Sequence, residues 1–438
     1  MATSELSASR TVTAEAATQR RYKILMFFGV LTSLFNFLDR SVLNILAEPI
    51  KHDLGISDTQ LGLLTGFAFA LFYSLAGLPI ARYIDRPTTN RPTVVAICMV
   101  LWSGMTMVSG MVVSYMHMLV ARMLVAVGES GGGPAILTLI NDYVSPEKRS
   151  RAFAIYGLGV PMGTLLGLVL GGWLVELVGW RMTFMIVGAP GVFLGLMIWL
   201  FLYEPRKAMV LDEAGSLDDS GGPSLRENAL VLVRSPALLW LTAAASLAGL
   251  FIIGVPSWTG VYLIRVLGLS PSHTGMILGL IMGVGGGIGT YFGGVIADRI
   301  VTRDPGRALL VPCVGLLLGI PAASIAFLSD DWRIFAVFYF VAVVGASAYL
   351  GPLFSTLQIL VGEQYRATTT VFVVMLANLI GAGLGPFLIG IGSDFLNPLF
   401  GKESLRWALV ACQFLAFFPA FFYYKAADLA GDAIENVS

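Results

Sequence analysis

The sequence predicts an all-α membrane protein: twelve transmembrane helices in two pseudo-symmetric six-helix bundles, both termini cytoplasmic. Three observations predict it. Only 12% of the 438 residues are charged and 56% are hydrophobic, whereas a soluble domain carries about 25% charged residues. Apolar stretches of about 20 residues, long enough to cross a bilayer core, recur along the whole chain. One long polar stretch, 204–234, contains "DEAGSLDDSGGPS" and divides the apolar stretches six from six. Its composition is that of a flexible linker.

Residues 1–23 form a cytoplasmic tail that lacks the apolar segment of a cleavable signal peptide. The first bundle (24–203) comprises spans near 24–50, 60–84, 93–114, 118–143, 152–177 and 181–203. The second (235–427) comprises 236–264, 272–297, 308–329, 332–361, 367–396 and 405–427, and 428–438 is a second tail. Lys and Arg crowd the amino terminus and the loops after even-numbered spans, among them Arg20, Arg86, Arg91, Lys148, Arg206, Arg299 and Arg307. The other loops hold few, chiefly Lys51, Arg181, Lys402 and Arg406. Positively charged loops stay inside, so both termini are cytoplasmic.

The halves are related by duplication. "LGISDTQLG" (54–62) matches "LGLSPSHTG" (267–275) at an offset of 213, and the same offset carries Asp85-Arg86 onto Asp298-Arg299. Two matches sharing one offset at equivalent topological places indicate a parallel internal repeat.

Several function classes are excluded. Net charge is zero and there is no basic tract for nucleic acid. Cys98, Cys313 and Cys412 are odd in number and dispersed, so they form neither a disulfide framework nor a metal site. His52, His117 and His273 fall at outer helix ends. No nucleophile–base set is present, and "GVGGGIG" lies within a span with no strand before it, so it is not a nucleotide loop. Neither an enzyme nor a bound cofactor is expected.

Four charges lie where water should be absent. Asp39 and Arg40 interrupt the first span, and Arg122 and Glu129 lie seven residues apart on the fourth, hence on one face. Asp39, Arg40 and Glu129 share a depth of roughly 18 Å from the outer surface at 1.5 Å per residue. An intramembrane charge is costly unless it faces the bundle interior and finds a partner. The residues therefore predict a buried network of two acids and two guanidinium groups between the first and fourth helices. Desolvation favours protonation of a carboxylate and a nearby guanidinium opposes it. Opening and closing the cavity changes both, so Asp39 or Glu129 can take up a proton on one side and release it on the other. The arginines stay charged. The bland alternative is an ion-pair cluster that only holds the bundle together.

The carboxy-terminal half has no such charge at mid-span. Its candidate cavity lining is Trp258, Tyr262, Ser347, Tyr349, Gln358 and Asn378. A cavity charged on one side and aromatic or apolar on the other suits an amphipathic anion.

The chain resembles the major facilitator superfamily. The loop signature appears as Gly294-Val-Ile-Ala-Asp298-Arg299 with Gly306-Arg307 downstream, and "GWRMTF" (179–184) is also typical. The amino-terminal copy, "ARYIDRPTTNRP", departs from the signature at Ala81 and Pro87. "NFLDR" (36–40), "RMLVAVGESGGGPA" (122–135) and "YGLGVPMGTLLG" (156–167) together resemble the Spinster-type lipid transporters. That resemblance implies the major facilitator fold, alternating access and proton-linked movement of lysophospholipids or sphingoid phosphates, with the proton as coupling ion. It also implies a cytoplasmic gate at Asp85, Arg86, Asp142, Arg151, Asp298 and Arg299, where an Arg can pair with Asp142 or Glu363. Glycine- and proline-rich runs in spans four, five, eight and eleven are read as packing surfaces and hinges. The expected protein is a monomer in the inner cell membrane, with membrane lipids and a small amphipathic or anionic substrate as partners. A small organic-anion or drug transporter, and a non-transporting receptor or scaffold, remain open on the residues alone.

Overall fold

The computed structural model describes residues 2–206, 230, 232–301, 306–361 and 366–435. Most of the expected linker (204–234), Glu363 and the end of the carboxy-terminal tail lie outside them. Ten helical stretches among the described residues are long and apolar enough to cross a membrane. Two of them, of 51 and 63 residues, are more than twice the ~30 Å bilayer core at 1.5 Å per residue, so each must hold two crossings. Gly179, at φ 76°, breaks the first. Gly401, at φ 54°, and the short 3₁₀ turn Gly401–Glu403 break the second. The count is thus twelve, as the sequence predicts.

In chain order these are α1 Gln19–Leu54, α2 Asp58–Asp85, α3 Arg91–Ser109, α4 Tyr115–Tyr143, α5 (151–178) and α6 (180–201). Then follow α7 Pro236–Arg265, α8 Pro271–Val301, α9 Gly306–Leu328, α10 Trp332–Leu360, α11 (366–400) and α12 (404–435). The first helix continues backwards through the polar lead-in to Ala2.

Local sequence sets the helix starts. Ser57 opens α2 with a capping box, its hydroxyl accepting from Gln60 N while Gln60 Oε1 accepts from Ser57 N. Its repeat image Ser270 accepts from His273 N at the start of α8, and Asn90, Ser114, Ser235 and Asp331 cap α3, α4, α7 and α10. The helices before the two repeat copies stop at Gly55 (φ 61°) and Gly268 (φ 69°), left-handed positions that favour glycine.

Packing within each half relies on close backbone approach. A side chain at Gly163 would place its Cβ 2.2 Å from the Leu34 carbonyl oxygen, so α5 lies directly on α1. Gly315 and Gly345 bring α9 against α10 in the same way. Wide π-type turns interrupt α2 (Leu63–Phe67), α7 (Leu250–Gly254), α8 (Ile281–Gly285) and α11 (Asn378–Leu384). Such turns occur often at functional sites.

The halves meet at their outer ends. Arg265 of α7 bonds Glu48 of α1 (2.6 and 3.0 Å) and Asp58 of α2 (2.7 and 2.9 Å). Gly62 of α2 lies against the carbonyl of Pro386 on α11, and Gly275 of α8 against that of Leu168 on α5. The structure is therefore closed on the outside.

Candidate functional site

Asp39 and Arg40 are adjacent on α1, so their side chains leave the helix about 100° apart and cannot share one partner. The structure pairs them crosswise with α4. Arg122 Nη1 donates to Asp39 Oδ2 at 2.9 Å, and Arg40 Nε donates to Glu129 Oε2 at 2.7 Å. Both acids and Arg122 are buried. Thr106 of α3 closes the first pair, donating its hydroxyl to Asp39 Oδ1 at 2.5 Å. Two buried polar atoms, Glu129 Oε1 and Arg122 Nε, have no hydrogen-bond partner among the described residues.

Arg40 differs from the other three. Its side chain is 34% exposed although it lies mid-span. Aromatic rings surround its guanidinium: Phe69 at 4.7 Å, Tyr73 at 5.2 Å and Phe37 at 5.6 Å from ring centroid to Cζ. Phe69 also lies 5.8 Å from Arg122 Cζ and so stands between the two cations. Rings at these distances attract a guanidinium and compensate in part for its lost water. Sequence reasoning found the four charges but missed Thr106, Phe69 and Tyr73. Phe69 and Tyr73 stand four apart on α2, a spacing that core residues share.

The candidate lining of the second half needs correction. Trp258 is enclosed and donates Nε1–H to the Pro386 carbonyl at 2.8 Å. Tyr262 is enclosed in a cluster with Phe327 and Phe335 and donates to the Phe327 carbonyl at 2.8 Å. A buried aromatic with a polar tip satisfies that tip internally, so both are core residues rather than lining. Ser347 packs against Gly289 between α8 and α10. Tyr349 and Asn378 are half-buried and Gln358 is exposed. Asn378 heads the wide turn whose Gly383 approaches Phe67 and Ala70 of α2, which puts it beside the junction of the halves.

At the cytoplasmic ends, Asp85, Arg86, Asp142, Arg151, Asp298 and Arg299 are all exposed. Asp142 does not pair with Arg86, as the sequence suggested. It pairs with Arg91 at 2.7 Å and Arg206 at 3.1 Å, and Arg91 is itself buried against Glu204. Pro87 follows Arg86 directly, and the Arg86 guanidinium lies over Tyr83 of its own turn, at 5.8 Å. The sequence reading also missed the outer cluster. Glu48, Lys51, Asp58, Arg265, Asp394 and Lys402 line a vestibule of about 390 Å³ there. Arg265 and Asp394 stand near helix ends, where charges are ordinarily solvated, so spacing alone did not mark them.

A family model described as Major Facilitator Superfamily matches residues 29–386. An MFS-type efflux pump of Mycolicibacterium smegmatis is 32% identical over 380 residues, covering 87% of this chain and 86% of the pump. Protein spinster homolog 3 of Danio rerio is 26% identical, covering 92% of this chain and 84% of its own length. A solved bacterial homologue of the human lysosomal transporter Spinster, inward-facing and unoccupied, superposes with a TM-score of 0.83 at 29% identity. That match covers 94% of this chain and 98% of the homologue.

Proposed function

The chain belongs to the Major Facilitator Superfamily and is a multi-pass membrane transporter rather than an enzyme; from that premise we propose that it moves an amphipathic anion of lysophospholipid or sphingoid-phosphate type across the cell membrane, driven by protons. The observation that carries this reading is the crossed pair of salt bridges with a half-open Arg40. Glu129 is the proton carrier in it. While ionised, Glu129 holds Arg40 through Oε2; its other oxygen, Oε1, has no partner among the described residues. A proton taken up there cancels the charge that holds Arg40. The guanidinium is then free to bind an anionic headgroup, because Arg keeps its own proton. Loss of the proton draws Arg40 back and expels the anion. Asp39 stays tied to Arg122 and Thr106 throughout and keeps α1 on α4.

Phe37, Phe69 and Tyr73 give this site an aromatic flank beside its charge, which suits a headgroup that continues into hydrocarbon. The lipid class is what the resemblance of "NFLDR", "RMLVAVGESGGGPA" and "YGLGVPMGTLLG" to the Spinster-type transporters implies. The similarity to an efflux pump supports a second reading, a drug or small organic anion at the same Arg40.

Purified protein in proteoliposomes tests both. A proton gradient is expected to drive accumulation of a fluorescent lysophospholipid by the wild type. Glu129→Gln should still exchange the lipid while losing gradient-driven accumulation. Transport of small organic anions without any lipid movement would overturn the lipid assignment and leave the charge mechanism intact. Gradient-driven transport that survives Glu129→Gln would overturn the mechanism.

A further inference from the structure

The two seams that close the outer side are repeat images of one another, and one acid fastens each. Asp394, near the outer end of α11, accepts the backbone N–H groups of Asp58 (3.0 Å) and Thr59 (2.7 Å), the first residues of α2. Glu176, near the outer end of α5, accepts the backbone N–H of Ser272 (2.8 Å) in the first turn of α8. Thr59 and Ser272 are 213 residues apart, the offset of the sequence repeat, and Glu176 and Asp394 are 218 apart.

The glycine contacts beside them obey the same two offsets. Gly62 lies against the Pro386 carbonyl and Gly275 against that of Leu168; Gly390 lies against the Asp58 carbonyl and Gly172 against that of Pro271. The fifth helix of each half thus caps the second helix of the other.

We propose that Glu176 and Asp394 are the outer-gate residues of the transport cycle, positioning residues that hold the outward-closed state and release when the halves rock apart. The first N–H groups of a helix have no partner within it, and the helix dipole favours a carboxylate there. Each bond joins one half to the other, so it exists only while the outer side is shut. Once it parts, water satisfies both groups, and the latch stays weak enough to cycle. The latches are unequal. Arg265, Glu48 and Lys51 gather around Asp58 on the α2–α11 seam, whereas the image of Asp58 in the repeat is the uncharged Pro271. The α5–α8 seam is the weaker one and parts first.

This inference needs only alternating access, which the family supplies, and it stands or falls apart from the substrate and from Glu129. The test uses the full chain with Cys98, Cys313 and Cys412 replaced. Spin labels at His117→Cys and Lys402→Cys, exposed on opposite halves of the outer face, report the distance across the gate. Glu176→Ala and Asp394→Ala are each expected to raise the open-to-closed ratio about fivefold, the usual effect of losing a helix cap. Together they should multiply to about 25-fold. Ser272→Pro removes the N–H that Glu176 accepts, at a first-turn position that tolerates proline. It should shift the ratio in the same direction as Glu176→Ala and by no more, since Glu176 keeps the Ser270 hydroxyl, and combining the two should add nothing. Asp53→Asn is the control, because Asp53 pairs with Arg181 inside its own half at 2.8 Å. Unchanged distances in both cap variants, or an equal shift from Asp53→Asn, would overturn the proposal.

Discussion

Arg122 and Asp39 form the most enclosed ion pair of the central site, with side chains 1% and 5% exposed. Removing one partner from such a pair leaves a buried charge and costs about 3–5 kcal/mol, whereas removing both can be nearly neutral. Arg122→Ala is therefore expected to lower the thermal midpoint of the purified protein markedly. The double variant Asp39→Asn/Arg122→Gln should recover more than half of that loss. Equal melting of Arg122→Ala and wild type would mean that the pair contributes nothing to stability. The four charges themselves were legible in the sequence, because a charge inside a membrane span stands out against its surroundings and must find a partner. Their crossed pairing was not legible, because it depends on how α1 and α4 are rotated towards each other. Thr106 was hidden because a lone hydroxyl in a span ordinarily bonds its own helix. It does so here as well, lying 2.9 Å from the Trp102 carbonyl.

At the level of the helices, glycine has two different meanings. Gly163 lies under the backbone of α1, with room for no side chain, while Gly104 of α3 has nothing within 4 Å of where a Cβ would stand. Gly163→Val is expected to separate α5 from α1 and disturb the neighbouring Asp39–Arg40 turn, abolishing transport along with stability. Gly104→Ala is expected to stabilise by about 0.5–1 kcal/mol, since alanine loses less backbone freedom in a helix. Thermal melts of the two variants check the contrast; a destabilised Gly104→Ala would show that α3 packs differently. The sequence marks glycine-rich runs as packing surfaces but cannot separate a glycine in contact from one in open space. The helix starts are a different matter. A Ser, Asn or Asp cap three residues or fewer before its backbone donor is a local device, so it reads directly from the chain.

For the whole molecule, the outer closure rests on charge as well as on close packing. Arg265 of the second half binds both Glu48 and Asp58 of the first, and without it Asp58 would keep Lys51 and the Ser393 hydroxyl as partners. Arg265→Ala is expected to open the outer side, because it removes the ion pairs that tie α7 of the second half to α1 and α2 of the first. A cysteine at Asn44, on the α1 face that meets Gly260 of α7, should then react several times faster with a membrane-impermeant maleimide added outside. Unchanged labelling would show that the glycine seams close the gate unaided. The sequence reading placed a charged gate at the cytoplasmic loops, around Asp85 and Asp298. In this outward-closed structure that device sits on the outside, at Glu176 and Asp394, and the cytoplasmic residues stand exposed.

The sequence by itself determined the twelve crossings, their orientation, the duplication and the presence of buried charge in one half. Each follows from a property a residue carries wherever it goes: its cost in hydrocarbon, the side of the membrane its charge prefers, or its place in a repeat. Only the tertiary structure decided which acid holds which guanidinium, that Trp258 and Tyr262 are core, and that Arg265 and Asp394 close a gate. Those depend on helix rotation and on contacts between residues as much as 336 positions apart, Asp58 and Asp394 among them. Nothing in the local sequence of either partner specifies such a contact.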